Sequence, residues 1–201
     1  MTLTVRPAGP EDAAAAAPLV YMSGPAAFDY VFAPGRRRAE DFLRHAFADG
    51  AGEFGWRTHV VVEKDGEIVA AGAGYDGAAP LGYMLAAAGQ ILGCYGPLTG
   101  AGVIRRGLRV EQVIPPPTKD MLYVAHLGVR PELRGGGVGR RMVEHLLEAG
   151  AARGYRRAVL DVSAANPRAQ ALYERMGFAV TRERRSPIAA VPDHRRMERG
   201  L

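Results

Sequence analysis

The sequence predicts a single α/β domain, residues 1–201, in which helices flank a central mixed β-sheet. Two observations support this fold class. The chain has 201 residues, of which 48% are hydrophobic, so one substantial core fits well and two small domains fit only awkwardly. Strand-like and helix-like apolar patterns also alternate along the chain, with a strand–helix–strand unit at the centre of the order.

The first part of the chain predicts a strand and two helices before a hairpin. Pro10 opens an Ala-rich helix whose first turn contains Glu11 and Asp12, where the helix dipole favours acids. Lys64-Asp65-Gly66 predicts a tight hairpin turn. The predicted elements are a strand at 2–6, helices at 10–21 and 36–48, and hairpin strands at 57–63 and 67–74.

Residues 80–120 predict a helical excursion between the third and fourth strands. Apolar residues follow a helical period there, and three consecutive prolines at 115–117 form an extended lead into the next strand. Beyond the excursion the patterns are sharper. They predict a strand at 121–129, a helix at 138–153, a strand at 158–162, a helix at 167–177, and a final hairpin at 178–182 and 195–199.

Composition excludes several classes of protein. The formal charge is +5, but 26 basic residues are interspersed with 21 acidic ones, so we expect a solvated surface and no nucleic-acid partner. No apolar stretch approaches the length of a membrane span, and residues 1–10 lack a signal-peptide pattern, so we expect a cytoplasmic protein and no membrane partner. A single cysteine, Cys94, excludes a disulfide framework and a cysteine-rich metal site.

A glycine-rich segment separates the strand at 121–129 from the helix at 138–153. It consists of Arg134-Gly135-Gly136-Gly137-Val138-Gly139. Glycines let a ligand approach the backbone and leave the N–H groups at a helix start unobstructed, an arrangement that binds pyrophosphate. Residues 130–134 intervene between the strand and the first glycine, which disfavours a dinucleotide fold although Asp161 lies near the next strand end. No Lys-Ser or Lys-Thr pair follows, so a Walker loop is excluded too.

This segment and a second motif closely resemble the GNAT acyltransferase superfamily. Residues 134–139 fit its Arg/Gln-x-x-Gly-x-Gly/Ala loop, and residues 127–131 precede the loop in the family's manner. The strong resemblance covers residues 121–180, whereas the excursion departs from the minimal family pattern. The second motif follows at the family's spacing and consists of Leu160-Asp161-Val162, Asn166, Ala169, Leu172-Tyr173 and Gly177-Phe178.

The resemblance implies a GNAT-like fold whose two central parallel strands splay apart to admit acyl-CoA. It also implies that pantetheine adds to the strand edge near Leu127 and Val129, and that pyrophosphate binds the glycine loop. A backbone N–H near Leu127 would stabilise the oxyanion. We therefore expect acetyl-CoA as co-substrate and no metal. The expected cofactor-binding residues are Leu127, Gly128, Val129, Arg134, Gly135, Gly136, Gly137, Val138, Gly139, Arg140, Asn166 and Tyr173.

Three side chains are catalytic candidates through the same resemblance. Tyr173 matches the family tyrosine that protonates or hydrogen-bonds the CoA sulfur, and its alternative role is that of a core aromatic. His126 occupies the place of a histidine that serves a water-linked proton path in some relatives, with a buried, backbone-bonded His as the alternative. Tyr123 is a second candidate to hold a water. Asn166 is predicted as a helix cap that also contacts the cofactor or an ordered water.

The acceptor side is the least specified part of the sequence. In relatives, the loop between the first two helices and the final hairpin line that side, which here implicates Phe28, Asp29 and Tyr30, with Arg184 and Arg185 from the hairpin. Aromatic residues with an acid suit an amine. The sequence does not name that amine, which belongs to a small molecule or to a peptide.

Two interpretations of function follow from these residues. The first is an N-acetyltransferase in which a primary amine attacks acetyl-CoA directly in a ternary complex. The alternative is a non-catalytic acyl-CoA-binding or sensing module. Retention of Tyr173 and Asn166 favours the enzyme, because a sensor needs only the phosphate loop. The sequence also leaves open a homodimer formed through the excursion or the final hairpin.

Overall fold

The computed structural model describes residues 3–78 and 80–201, and in it seven strands form one mixed sheet. The predicted strand start at Thr2 lies outside the described residues. The strands are β1 Leu3–Pro7, β2 His59–Lys64, β3 Glu67–Tyr75, β4 Leu122–Val129, β5 Arg157–Ser163, β6 Ala179–Arg184 and β7 His194–Gly200, in the spatial order β1-β2-β3-β4-β5-β7-β6. The helices are α1 Ala13–Met22, α2 Pro25–Phe32, α3 Ala39–Asp49, α4 Pro80–Val110, α5 Val138–Ala152 and α6 Pro167–Arg175.

Neighbouring residues of a strand point to opposite faces of the sheet. Both faces carry apolar side chains here, and helices cover both. Val61 packs in the core formed with α1, α2 and α3. The next residue, Val62, packs with Val138 and Met142 of α5 on the other face. The β2–β3 hairpin turns at Asp65 and Gly66, whose φ values of 52° and 83° are those of the predicted tight turn. The predicted α/β class with a central mixed sheet is confirmed.

One helix and one helix boundary near the start of the chain were predicted wrongly. Residues 25–32, predicted as a loop, form α2, which begins at Pro25 and buries Phe28, Val31 and Phe32 on one face. Such a short helix depends on tertiary packing and gives a weak local pattern. Helix α3 begins at Ala39 and not near residue 36, since Arg36 lies in a turn and Arg38 has an extended backbone.

The excursion is helical, as predicted, and forms α4. The helix is interrupted by a kink at Gly96, where φ is 72° and ψ is 171°, directly before Pro97. Several of its large apolar side chains are exposed, among them Leu81, Met84 and Leu85. The homodimer through this region stays a prediction. None of the helices in the described part of the chain is both long enough and apolar enough to cross a membrane.

Candidate functional site

The central parallel strands β4 and β5 are paired only at their N-terminal ends. Leu122 faces Ala158 and Tyr123 faces Val159, and the described residues form no further β4–β5 pair. From residue 124 to residue 129, the edge of β4 that faces β5 is therefore unpaired, while the other edge pairs with β3. The predicted splay is confirmed. It leaves a strand edge to which an extended ligand can add.

Strand β4 contains a β-bulge at His126 and Leu127. The pairing with β3 slips by one residue at Gly72, which faces both of them. His126 has a left-handed φ of 56°, which is uncommon for a residue other than glycine. Leu127 packs against the core on the α5 side, whereas the His126 ring lies near Phe28 and Phe54. The bulge thus aims His126 toward the face covered by α1 and α2.

The glycine loop joins β4 to α5 and presents a run of free backbone donors. Among the described residues, no backbone carbonyl accepts a hydrogen bond from the N–H groups of Gly135, Gly137, Val138, Gly139 and Arg140. Gly135 and Gly137 have φ values of 87° and 84°, and no heavy atom lies within 4 Å of the position a Cβ would take at either. Val138 is the first residue of a 15-residue helix. The loop can therefore donate several hydrogen bonds to an anion at a helix N-terminus.

The charged residues of the loop already have partners within the protein. Arg134 is exposed, and its Nε donates to the Val129 carbonyl at 3.1 Å. Arg140 is also exposed, and its Nε donates to Glu144 at 2.7 Å. Arg134 thus connects the loop to the end of β4. The direct role of either guanidinium in binding a cofactor stays a prediction.

Gly128 has a structural reason to be glycine. A Cβ at this position would lie 1.9 Å from the carbonyl oxygen of Leu19, because α1 crosses β4 there in close contact. A side chain would push α1 away from the strand. Gly128 therefore allows α1 to pack closely against β4, and the contact of its backbone with the cofactor stays a prediction.

Helix α6 brings Asn166 and Tyr173 to the other side of the cleft. Asn166 caps the helix, as predicted, by accepting a hydrogen bond from the Ala169 N–H at 3.1 Å. Tyr173 is 8% exposed, and its ring packs edge-on against Phe178. Its hydroxyl has no hydrogen-bond partner among the described residues. The hydroxyl oxygen is not completely buried either, so a ligand can reach it. Burial raises the pKa of Tyr173 to about 12. The phenol is therefore neutral and free to donate.

Tyr123 makes a different contact from the one expected of a water-holding residue. Its hydroxyl donates to Asp161 at 2.9 Å, and burial raises its pKa well above the ordinary value. The Asp161 side chain is only 1% exposed and also binds Arg196 at 2.8 Å and Arg184 at 3.6 Å. Asp161 is thus bound by two partly buried arginines and is not a free acid at a strand end. A water held by Tyr123 stays a prediction.

His126 lies against a second imidazole that the sequence pattern did not reveal. Its Nδ1 lies 3.2 Å from Nε2 of His59, and the two rings are nearly parallel. Burial holds the pKa of His126 well below its ordinary value near 6.5, and a charged His59 would lower it further. At neutral pH, His126 is an uncharged imidazole that can accept a proton.

The three predicted acceptor-side residues differ in their burial and in their contacts. Phe28 is buried, and its ring centroid lies 6.1 Å from that of His126. Asp29 is exposed and accepts a hydrogen bond from Tyr21, while the Tyr30 hydroxyl lies 3.5 Å from Arg109 on α4. Of the three, Phe28 alone contacts the ring of a catalytic candidate within the described residues. Substrate binding by Phe28, Asp29 and Tyr30 stays a prediction.

Two sets of contacts could not be read from the sequence because they join distant segments. His59 and His126 are 67 residues apart, and Asp161 and Arg196 are 35 residues apart. His59 begins β2 without any motif around it. A sheet order that places β2 and β4 on either side of β3 was the missing information.

A family model and a curated relative both match parts of the chain. The family model described as "Acetyltransferase (GNAT) family" matches residues 28–178. A curated relative, the 5-NmdU N-acetyltransferase of Pseudomonas phage PaMx11, is 33% identical over 88 residues, which are 44% of this chain and 54% of that protein. The match thus spans about half the length of this relative.

Solved structures show the same fold over nearly the whole chain. An N-acetyltransferase from Staphylococcus aureus Mu50 has a TM-score of 0.71 at 20% identity, covering 98% of this chain and 100% of that one. Drosophila melanogaster polyamine N-acetyltransferase has a TM-score of 0.60 at 18% identity, covering 100% of both. The Escherichia coli ribosomal-protein-S18-alanine N-acetyltransferase has a TM-score of 0.56 at 17% identity, covering 100% and 94%. The acceptors named for the last two differ, so the shared fold does not specify an acceptor.

Proposed function

Because the chain belongs to the GNAT acetyltransferase family, we propose that it transfers an acetyl group from acetyl-CoA to a primary amine, which attacks directly in a ternary complex. The observation that carries this proposal is a backbone surface made of two parts. The unpaired edge of β4 ends at Val129, and residues 130–134 join it to the free N–H groups of Gly135 and of residues 137–140 at the start of α5. That surface suits a ligand with an extended amide-containing arm and a pyrophosphate.

Each step of the acetyl transfer has a candidate group in this chain. Acetyl-CoA supplies a thioester activated toward amines. The backbone N–H groups of β4 near Leu127 stabilise negative charge on the carbonyl oxygen. His126 takes the proton that the acceptor amine must lose, since its imidazole is uncharged at neutral pH. Tyr173 stays protonated and donates to the departing sulfur.

The experiment that tests this function is a screen across many acceptors at once. Purified protein would be incubated with acetyl-CoA and a library of amines and peptides, and free thiol and acetylated products would be measured. We expect thiol release that depends on a particular amine. CoA should also raise the melting temperature far more than NAD does, because it binds the native state. Stabilisation by CoA with no acetylated product from any amine would favour the non-catalytic acyl-CoA-binding module instead.

Replacing Gly137 with Val should weaken CoA binding by about tenfold or more. The Val side chain would stand where the backbone must approach pyrophosphate, and Gly137 also has a positive φ that suits glycine. The control is Gly35→Val, since Gly35 has a φ of 67°, is exposed and likewise has open space around it. Calorimetry would give both CoA affinities, and thermal melting would give both stabilities. Unchanged CoA affinity in a folded Gly137→Val protein would contradict the phosphate role of the loop.

A further inference from the structure

A buried imidazole lies directly behind the catalytic candidate His126. His59 begins β2 and is 2% exposed, and its Nε2 lies 3.2 Å from Nδ1 of His126. The rings are 11° from parallel, with centroids 5.3 Å apart. A contact at this distance between two imidazole nitrogens is a hydrogen bond, so one of the two must carry the hydrogen. The surroundings of His59 decide which one does.

The other nitrogen of His59 faces hydrogen-bond acceptors. Its Nδ1 lies 2.8 Å from the carbonyl oxygen of Gly55, which cannot donate. The Thr58 hydroxyl oxygen lies 3.1 Å from the same nitrogen, and that hydroxyl is within donating distance of the carbonyls of Glu53 and Gly55. Burial lowers the pKa of His59 to about 4, so the ring is neutral at neutral pH. A neutral His59 therefore has its hydrogen on Nδ1 and an acceptor lone pair on Nε2.

This assignment determines the tautomer of His126. Since Nε2 of His59 can only accept, the hydrogen in the 3.2 Å contact belongs to Nδ1 of His126. Neutral imidazole carries one hydrogen, so Nε2 of His126 has a free lone pair. The bulge and its left-handed backbone hold the ring in this orientation, with Phe54 stacked on it at a centroid distance of 5.0 Å.

The proposed function above requires a group that accepts a proton, and the present inference rests on that function. We propose that His59 is a positioning residue that holds His126 in the Nδ1–H tautomer, so that Nε2 of His126 accepts the proton of the acceptor amine. In that step an N–H bond of the ammonium group breaks, an Nε2–H bond forms, and the positive charge moves to His126. The Nδ1–H of His126 then donates to His59 as a charge-assisted hydrogen bond, which stabilises the imidazolium.

The other neighbours of His126 do not supply this function. Phe28 on α2 and Phe54 contribute apolar rings. The Tyr75 ring on β3 lies 6.3 Å away, and its hydroxyl donates to Glu53 at 3.0 Å. No carboxylate within the described residues forms an ion pair with either histidine. The tautomer of His126 therefore depends on His59.

Nuclear magnetic resonance tests the tautomer without any acceptor. Protein containing isotope-labelled histidine would be compared in three forms: wild type, His59→Phe and His59→Gln. The Phe side chain fills the space of His59 but cannot accept a hydrogen bond, whereas the Gln side chain offers a carbonyl oxygen in place of Nε2. His126→Gln identifies the His126 signals by their loss. We expect hydrogen on Nδ1 of His126 in the wild type and in His59→Gln, and on Nε2 in His59→Phe. Hydrogen on Nε2 in the wild type would overturn the proposal.

Kinetics provide the second arm once an acceptor is known. His59→Phe should lower kcat by roughly 10- to 100-fold, by analogy with the loss of the partners that orient metal-binding histidines. The KM for acetyl-CoA should not change, and His59→Gln should restore most of the loss. His45→Phe, at an exposed position on α3, is the matched control. A wild-type kcat in a folded His59→Phe protein would refute the positioning role. If the wild-type protein does not bind CoA, the proposed function is refuted instead, so the two failures are distinguishable.

Discussion

Replacing Tyr173 with Phe should lower kcat by roughly 10²–10⁴-fold, the usual contribution of a positioned acid. The expected cause is loss of the proton that the hydroxyl donates to the departing thiolate. Affinity for acetyl-CoA and the free energy of unfolding should change little. The phenyl ring would keep its edge-on contact with Phe178, and the hydroxyl has no partner to lose among the described residues.

This experiment separates the two roles that the sequence left open for Tyr173. If the residue is only a core aromatic, the Phe variant should show ordinary kinetics and, at most, a small change in stability. Turnover must be measured at saturating substrates, with cofactor affinity measured separately, so that binding and chemistry are not confused. Tyr155→Phe is the control, because Tyr155 precedes β5 at the paired end of the two strands and donates to Asp76. Near-wild-type kcat for Tyr173→Phe would transfer the acid role to another group or to solvent.

Much of the fold could be predicted because its determinants are local. Asp65 and Gly66 specify a tight turn within two residues, and the glycine loop with its helix lies within one short segment. Helix α2 was missed for the opposite reason. Gly24 and Pro25 suggested a break, and the segment is helical because Phe28 and its apolar neighbours are buried against α3 and α4. Tertiary packing overrides a weak local preference in such cases.

The candidate site was predictable only where it is made of contiguous backbone. The run from Arg134 to Arg140 could be recognised from spacing, because glycines at a helix start have a direct physical meaning. The environments of His126 and Tyr123 could not be recognised in this way. Each depends on a partner from another strand, His59 for the first and Asp161 for the second. The pairing order that brings those strands together is a property of the whole sheet.

Replacing Asp161 with Ala should lower the free energy of unfolding by about 3–5 kcal/mol, the range for breaking a buried ion pair from one side. Asp161 is buried between two strands and accepts hydrogen bonds from Tyr123 and from Arg196 at 2.9 and 2.8 Å. Arg184 approaches the same carboxylate at 3.6 Å. Without Asp161, two guanidinium groups with side-chain exposures of 16% and 13% would face each other with no anion between them.

The loss should be large because neither arginine can reach water easily. Nη1 of Arg184 is already buried without a hydrogen bond among the described residues, and burial lowers the pKa of Arg184. Arg196 also donates to the Pro115 carbonyl, so the ion pair connects the final hairpin to the segment before β4. Urea unfolding would measure the change from the midpoint and the m-value. Asp120→Ala, which removes a surface partner of Arg157, should leave the midpoint nearly unchanged. A similarly small shift for Asp161→Ala would mean that the two arginines find other partners, and that this buried pair does not hold β5 to β7.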